Sequence, residues 1–395
     1  MVVSMSKNNK FRILIVPSWY PTEDEPIKGI FFKEQAMALQ RVGCDITVAY
    51  PELWSLRTLG KSKREKGISF CIEDNLPTYR FKGFNIFPKT AYLRGNLYND
   101  KLKRLYIEIL KNQGKPDIIH AHSFFWGGYA ASKLSKNYNI PLVVTEHSRI
   151  NYNGIFKLYR KNIIKSIANT ASYIISVGLG LIKEFKEFHV EGKLIMIPNM
   201  VDTDKFKPEL IHYTKNDTFK FFYLGLLTPN KNVDLLIKAF SQVFRKKNAQ
   251  LIIGGYGKER RNLEKLAIKL KIRQQVIFLG QLSRNEVIDQ INQCNTVVLP
   301  SRYETFGVVL IEALSCGKPV IATKSGGPND IVNGSNGYLV PVGNINKLSD
   351  AMLNVKNNYN KFNPVEIREN CINKYSERVV INKLLNLYSR LIKDN

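Results

Sequence analysis

Cysteine is scarce and unorganised in this sequence. Cys44, Cys71, Cys294, Cys316 and Cys371 are odd in number and scattered, with no C-x-x-C pair. That excludes a disulfide framework and leads to the expectation of reduced thiols in a cytosolic compartment. Long apolar runs are missing too: no stretch of about 18 uninterrupted apolar residues occurs, which excludes a membrane-spanning helix. The opening "MVVSMSKNNKFRILIVPSW" has no apolar segment followed by a small-residue cleavage site, so no signal peptide is expected. Acid is in deficit, with 33 Asp and Glu against 59 Lys and Arg, a net charge of +26. Histidine is limited to five residues in a chain of 395.

What is present describes a folded protein. A hydrophobic content of 44% with ordinary glycine and proline excludes disorder, and the length suggests two or three domains. The surplus of positive charge attracts phosphorylated substrates or an anionic membrane surface, and codon usage rich in Lys accounts for part of it. Two basic runs stand out, "RTLGKSKREKG" (57–67) and "FKLYRKNIIKSI" (156–167). The second interleaves cations with aliphatic and aromatic residues at helical spacing, the pattern of a helix lying on a membrane surface. No nucleic-acid motif accompanies the charge, so nucleic acid is not expected as a partner.

Short aliphatic runs alternate with amphipathic stretches. "FRILIVPSW" (11–19), "CDITVAY" (44–50), "PDIIHAH" (116–122), "PLVVTEH" (141–147) and "SYIISVG" (172–178) read as strands, with helices at 30–42, 126–136 and 156–169. The segment 190–217, rich in Pro, Asn, Asp and Lys, reads as a linker. Strands resume with 219–225, 249–255, 275–280, 295–301, 318–323 and 337–342, separated by helices near 232–246, 258–271, 284–293 and 307–315. The β-α-β rhythm predicts parallel sheets in two doubly wound domains facing a central cleft, where ligands bind beyond the carboxyl ends of the strands.

The stretch "YETFGVVLIE" carries two acids eight positions apart. Strand 295–301 ends before it and Gly317 stops the helix after it, so the helix starts near Gly307. Glu304 then lies in the loop and Glu312 inside the helix. Backbone N–H groups of Gly307, Val308 and Val309 suit a phosphate, with polyols accepted by Glu304 and Glu312 on either side, the layout of sugar–diphosphate–ribose. His120 and His122 form His-x-His on a strand, both rings on one face. No carboxylate or Cys completes a metal site with them in the motif, so none is expected.

The stretch "PSRYETFGVVLIEALSCGKPVIATKSGGPNDIVNGSNGYLVP" resembles the C-terminal signature of retaining GT-B glycosyltransferases of family 4, the group 1 type. "VPSWYPTEDEPIKGIFFKEQAMAL" is similar to that family's N-terminal glycine loop, "PDIIHAHS" to its strand with an active-site His, "IPNMVDTDKF" to its linker entry, and "IIGGYGKER" to its Gly-rich turn. The C-terminal "YSERVVINKLLNLYSRLI" resembles the last helix, which crosses back onto the N-terminal domain. The resemblance therefore implies an acceptor-binding domain over 1–209, completed by a helix at about 376–395, and a nucleotide-sugar-binding domain over 210–375.

Carried over residue by residue, the resemblance implies catalysis by His122, Glu304 and Lys231. Glu304 would hold sugar hydroxyls, and Lys231 would neutralise the donor diphosphate. Gly29, Phe306, Gly307 and Val308 would contact the donor, Glu312 its ribose, and Leu282 and Gly280 its base. His147 would sit on the acceptor side. The implied reaction is retaining and needs no metal or cofactor, moving a sugar from a UDP- or GDP-sugar to a saccharide, lipid-linked, in surface polysaccharide or glycan assembly. The expected setting is cytoplasmic and peripheral to the inner face of the cell membrane. One departure stands out: the family's Arg five residues before the Lys is Leu226 here. A nucleotide-sugar 2-epimerase and a non-catalytic binding subunit of the same architecture stay open as alternatives at this point.

Overall fold

Runs such as RILIVP and IIHAH are apolar without alternation, so both their faces have to be covered, and they lie at the middle of a sheet. The computed structural model describes residues 11–59, 65–87, 90–149, 157–187, 190, 193–209 and 218–393. The described residues of Met1–Val177, Leu181–Ile197 and Ile381–Asn395 form one unit, and those of Gly178–Gly180 and Pro198–Val380 a second.

The first unit runs β1 (Arg12–Pro17), α1 (Ile30–Arg41), β2 (Asp45–Ser55), β3 (Gly67–Glu73), β4 (Leu76–Asn85), α2 (Ala91–Asn112), β5 (Ile118–His122), α3 (Tyr129–Tyr138), β6 (Leu142–Glu146), α4 (Lys157–Thr170), β7 (Tyr173–Ser176), α5 (Leu179–Glu187) and β8 (Leu194–Met196). Its sheet has the order β3-β4-β2-β1-β5-β6-β7-β8. Seven of these strands are parallel, but β3 pairs antiparallel with β4, which departs from the all-parallel expectation. Asp74 and Asn75, at φ 50° and 67°, make the two-residue turn between them, a conformation Asp and Asn tolerate. The hairpin escapes a sequence reading because β3 is an edge strand whose residues are mostly exposed, with no aliphatic run to mark it. The expected linker also contains structure: Leu194–Met196 pairs with β7 as the last strand of this sheet. The remainder of that segment at 210–217 lies outside the described residues.

The second unit runs β9 (Phe219–Leu224), α6 (Val233–Phe244), β10 (Ala249–Gly254), α7 (Arg260–Lys269), β11 (Val276–Gly280), α8 (Arg284–Gln293), β12 (Thr296–Leu299), α9 (Val308–Ser315), β13 (Val320–Thr323), α10 (Pro328–Ile331), β14 (Gly337–Val340), α11 (Ile345–Asn357) and α12 (Pro364–Tyr375). Its parallel sheet has the order β11-β10-β9-β12-β13-β14, so the winding reverses between β9 and β12. In the first unit the same reversal falls between β1 and β5. Loops leaving the carboxyl ends of such neighbouring strands diverge and leave a crevice.

The basic helix α4 turns its isoleucines inward. Ile163, Ile164 and Ile167 are 3%, 0% and 0% exposed, so its apolar stripe packs into the unit's own core. Lys161 and Lys165 face solvent, and Arg160 lies over the Phe125 ring at 5.4 Å. No helix among the described residues is long and apolar enough to cross a membrane.

The last helix, α13 (Glu377–Lys393), seats Tyr388 against β5. The Tyr388 hydroxyl is 2.7 Å from His120 Nδ1, and Thr145 Oγ1 is 2.7 Å from His120 Nε2. His120 is thus a hydrogen-bonded core residue, and burial pushes its pKa down to about 3. The unfolded chain takes up a proton on this ring below about pH 6.5 and the folded chain does not, so the contribution is full above that pH and lost as pH falls towards 3. Urea unfolding of wild type and His120→Asn between pH 7.5 and 5 should show the wild type losing about 1 kcal/mol more per pH unit below pH 6.5. Parallel curves for the two proteins would refute the assignment.

Candidate active site

In the first unit, the loops after β1 and β5 flank the reversal of winding. Gly29 caps α1 in the left-handed conformation at φ 74°, and a Cβ there would stand 2.7 Å from the Trp19 carbonyl oxygen. Only glycine fits without displacing backbone. Lys28 beside it is paired with Glu25 at 2.7 Å. At the end of β5, His122 is 1% exposed and stacks on Phe32, with ring centroids 4.7 Å apart and planes inclined at 25°. Its Nδ1 lies 3.2 Å from Nε2 of His147, which follows β6; one nitrogen carries the proton and the other accepts. The His122 Nε2 has no hydrogen-bond partner among the described residues. Burial, reinforced by the neighbouring imidazoles His120 and His147, holds His122 well below its ordinary pKa. At neutral pH it is an uncharged imidazole whose Nε2 is unpartnered among the described residues.

In the second unit, the loops after β9 and β12 brace one another across the reversal. Arg302 N–H donates to the Asn230 carbonyl at 2.8 Å, and Asn230 Nδ2 to the Tyr303 carbonyl at 3.0 Å. Glu304 is held again from the far side, its N–H donating to Ser325 O at 2.9 Å and its carbonyl accepting from Gly327 at 2.8 Å. This close approach explains the Gly-Gly turn, since a Cβ on Gly326 would come within 2.6 Å of the Glu304 carbonyl oxygen. The backbone so fixed brings Lys231 Nζ to 2.5 Å from Glu304 Oε2, which also accepts from Ser301 Oγ at 3.3 Å. Both side chains keep some exposure, 22% for Lys231 and 13% for Glu304.

Gly307, at φ 95°, caps α9, so the first amides of that helix point away from its own carbonyls, as every helix start requires. Phe306 and Gly307 are buried and Val308 is half-buried. Glu312, in the second turn, is 2% exposed and its Oε1 accepts from Arg284 at 2.7 Å. The Arg284 guanidinium lies over the Phe206 ring at 4.8 Å. Leu282 is buried just before Ser283, which caps α8 and so sets the start of the helix carrying Arg284. Gly280, at φ 82°, accepts from Gly255 at 2.6 Å. Leu226 is 46% exposed, and its carbonyl accepts from the Tyr223 hydroxyl at 3.1 Å.

Glu304, Lys231, Phe306, Gly307 and Val308 thus share one pair of loops, with Glu312 a turn and a half into the helix that follows. Gly29, His122 and His147 gather at the carboxyl end of the first unit's sheet. Sequence reasoning missed Arg284 and Glu146. Arg284 has a local signal in the Ser283–Glu286 capping box, but nothing local joins it to a carboxylate 28 positions away. One Asp-x-Asp does stand in the sequence, Asp202-Thr203-Asp204. Asp202 spends its carboxylate on a turn, accepting from the N–H groups of Asp204 at 3.2 Å and Lys205 at 3.1 Å. No group of three or more His, Cys, Asp or Glu among the described residues is placed to hold a metal ion.

Comparison with known proteins bears on this arrangement. Residues 29–205 match the model of Glycosyltransferase Family 4, and residues 205–378 that of Glycosyl transferases group 1. An uncharacterised glycosyltransferase of Methanocaldococcus jannaschii is 32% identical over 306 residues, 75% of this chain and 82% of that protein. The putative teichuronic acid biosynthesis glycosyltransferase TuaC of Bacillus subtilis is 26% identical over 367 residues, 86% and 88% of the two chains. Among solved structures, Anabaena HepE in complex with UDP superposes with a TM-score of 0.73 at 19% identity, covering 96% of this chain and 100% of that one. Two family models in the right order, and a relative above 30% identity matched over most of its length, place the chain among the group 1 glycosyltransferases, with two Rossmann-like domains of the GT-B type.

Proposed function

We propose that this glycosyltransferase moves a sugar from a nucleoside-diphosphate sugar, UDP- or GDP-linked, to a saccharide acceptor with retention of configuration and without a metal ion. The observation that carries the reading is the braced Lys231–Glu304 pair beside the N-terminus of α9. A diphosphate takes over Lys231 and adds bonds from the first amides of the helix; the sugar hydroxyls take over Glu304. Each charged group exchanges one partner for another, so neither is left bare. Buried Glu312, with one oxygen on Arg284, offers the other to the ribose hydroxyls. Leu282 and Gly280 border the base, and Gly29, Phe306, Gly307 and Val308 supply backbone contacts to the donor. His122 offers its uncommitted nitrogen to the transferred sugar, and His147 stands on the acceptor side. HepE, of the same fold, has been solved with UDP and with UDP-glucose, which supports a donor of this class.

In the reaction, the bond from the anomeric carbon to the phosphate oxygen breaks as the acceptor oxygen bonds to that carbon on the same face. The acceptor proton passes to the leaving phosphate oxygen. Charge grows on the diphosphate, and Lys231 and the helix amides stabilise it there. TuaC, by its name a teichuronic acid enzyme, supports surface polysaccharide assembly as the setting. A lipid-linked acceptor at the cytoplasmic face fits the net charge of +26. With Ile163, Ile164 and Ile167 buried, the attraction proposed for α4 is electrostatic. Sedimentation with anionic vesicles should then fall steeply between 50 and roughly 300 mM salt; binding that ignores salt would point to an inserted apolar anchor instead.

Four substitutions separate the roles. Lys231→Ala removes a charge-assisted bond of about 1.5–3 kcal/mol, so kcat/KM should drop roughly ten- to hundredfold. Glu304→Gln should lower kcat, while Glu312→Gln should mainly weaken nucleoside diphosphate affinity. Leu226→Arg, at an exposed position, should tighten that affinity. Identical kinetic signatures for the two Glu variants would defeat the division of roles.

Product stereochemistry and metal dependence give a separate check. Transfer should continue undiminished in EDTA, and the product should keep the donor's anomeric configuration by NMR. Donor incubated alone should return unchanged apart from slow hydrolysis. A requirement for Mg²⁺ or Mn²⁺, or an inverted product, would overturn the mechanism; a donor epimerised at C2 would replace it with another.

A further inference from the structure

Glu146, at the end of β6, is a carboxylate that the reaction as written does not use. It is 0% exposed, and no Lys or Arg among the described residues forms an ion pair with it. Burial pushes its pKa up, against the pull of the hydrogen bonds it accepts. A buried carboxylate without a cation is costly to keep unless donors surround it. Here the donors all come from two loops. Oε2 accepts from the Phe124 N–H at 2.7 Å. Oε1 accepts from the N–H groups of His147 at 2.9 Å and Ser148 at 2.8 Å, and from Ser148 Oγ at 2.7 Å. Phe124 lies two residues beyond His122, across Ser123 at φ 65°. His147 is the other half of the imidazole contact.

We infer that Glu146 is a positioning residue: its two carboxylate oxygens fasten the loop after His122 to the loop bearing His147, and so hold the two imidazoles in their 3.2 Å contact. The inference rests on the reading that His122 touches the transferred sugar. Two features separate it from a general staple. The bonds go to main-chain N–H groups that leave both loops little freedom, and they reach the segments next to the two histidines rather than distant core. Ser123, in a left-handed conformation unusual for a side chain with a Cβ, needs such an anchor on its far side. A carboxylate is the one side chain that can accept on both oxygens at once; an amide in its place turns a donor towards one of the loops.

The test uses the full-length protein and two variants. Glu146→Gln should lower kcat by about tenfold or more through loss of preorganisation, while the donor KM stays within about twofold, because the diphosphate is held by the second unit. Ser148→Ala, which removes one of the four bonds and keeps the carboxylate, should lower kcat a few-fold and serves if Glu146→Gln does not fold. The ¹⁵N imidazole resonances of His122 and His147 should move in both variants, with no substrate needed. Folded variants that lose only melting temperature, with kcat and imidazole signals unmoved, would overturn the inference. His122→Ala distinguishes the two layers. If it abolishes transfer while folded Glu146→Gln does not impair it, the positioning role falls. If His122→Ala retains transfer, the reading of His122 falls, and the imidazole resonances alone decide whether Glu146 holds the pair.

Discussion

Both sheets reverse their winding at one place; His122 ends a strand there in the first unit, and Lys231 and Glu304 lie on loops that leave it in the second. Between β1 and β5, and again between β9 and β12, adjacent parallel strands send their connections in opposite directions. The connections that leave there diverge to opposite faces of the sheet and leave a crevice at the carboxyl ends. The second unit braces its uncovered loops with four backbone and side-chain bonds around Asn230, Tyr303 and Glu304. In the first unit Glu146 fastens the loop after β5 to the loop after β6. Different chemistry meets the same requirement, which is to keep polar side chains at fixed places on segments that have no regular partner.

Charge is handled the same way throughout these sites: each buried or half-buried ion has a named partner. Lys231 has Glu304, Glu312 has Arg284, and Glu146 has four N–H and O–H donors. Pairs of this kind add little to stability, because desolvation offsets much of the attraction. They do hold side chains in one orientation. A pair at partial exposure, such as Lys231 and Glu304, can also be exchanged for a ligand's charges at small cost, whereas Glu312 at 2% exposure is set for a fixed contact.

The overall charge of +26 has a different standing. The basic helix α4 shows how one charge pattern fits two settings. A periodic mixture of cations and aliphatic residues reads the same whether the aliphatic stripe meets lipid or core. Ile163, Ile164 and Ile167 meet core.

The sequence by itself determined the class of fold, the alternation of strands and helices, and the placement of Glu304 in a loop with Glu312 inside the following helix. Those follow from local causes: aliphatic runs of strand length, glycine at φ values other residues avoid, and helix start and stop signals. It could not show the β3–β4 hairpin, whose exposed edge strand has no apolar run, nor the strand Leu194–Met196 hidden in a polar segment. The tertiary structure alone decided which side chains meet. Lys231 and Glu304 are 73 positions apart, Arg284 and Glu312 28, Tyr388 and His120 268. Nothing in local periodicity encodes such pairs; they arise when sheet order brings distant loops to one edge. Glu146 is the sharpest case, because a lone acid at a strand end looks solvated in sequence, and only the packing of two loops around it makes it a buried anchor.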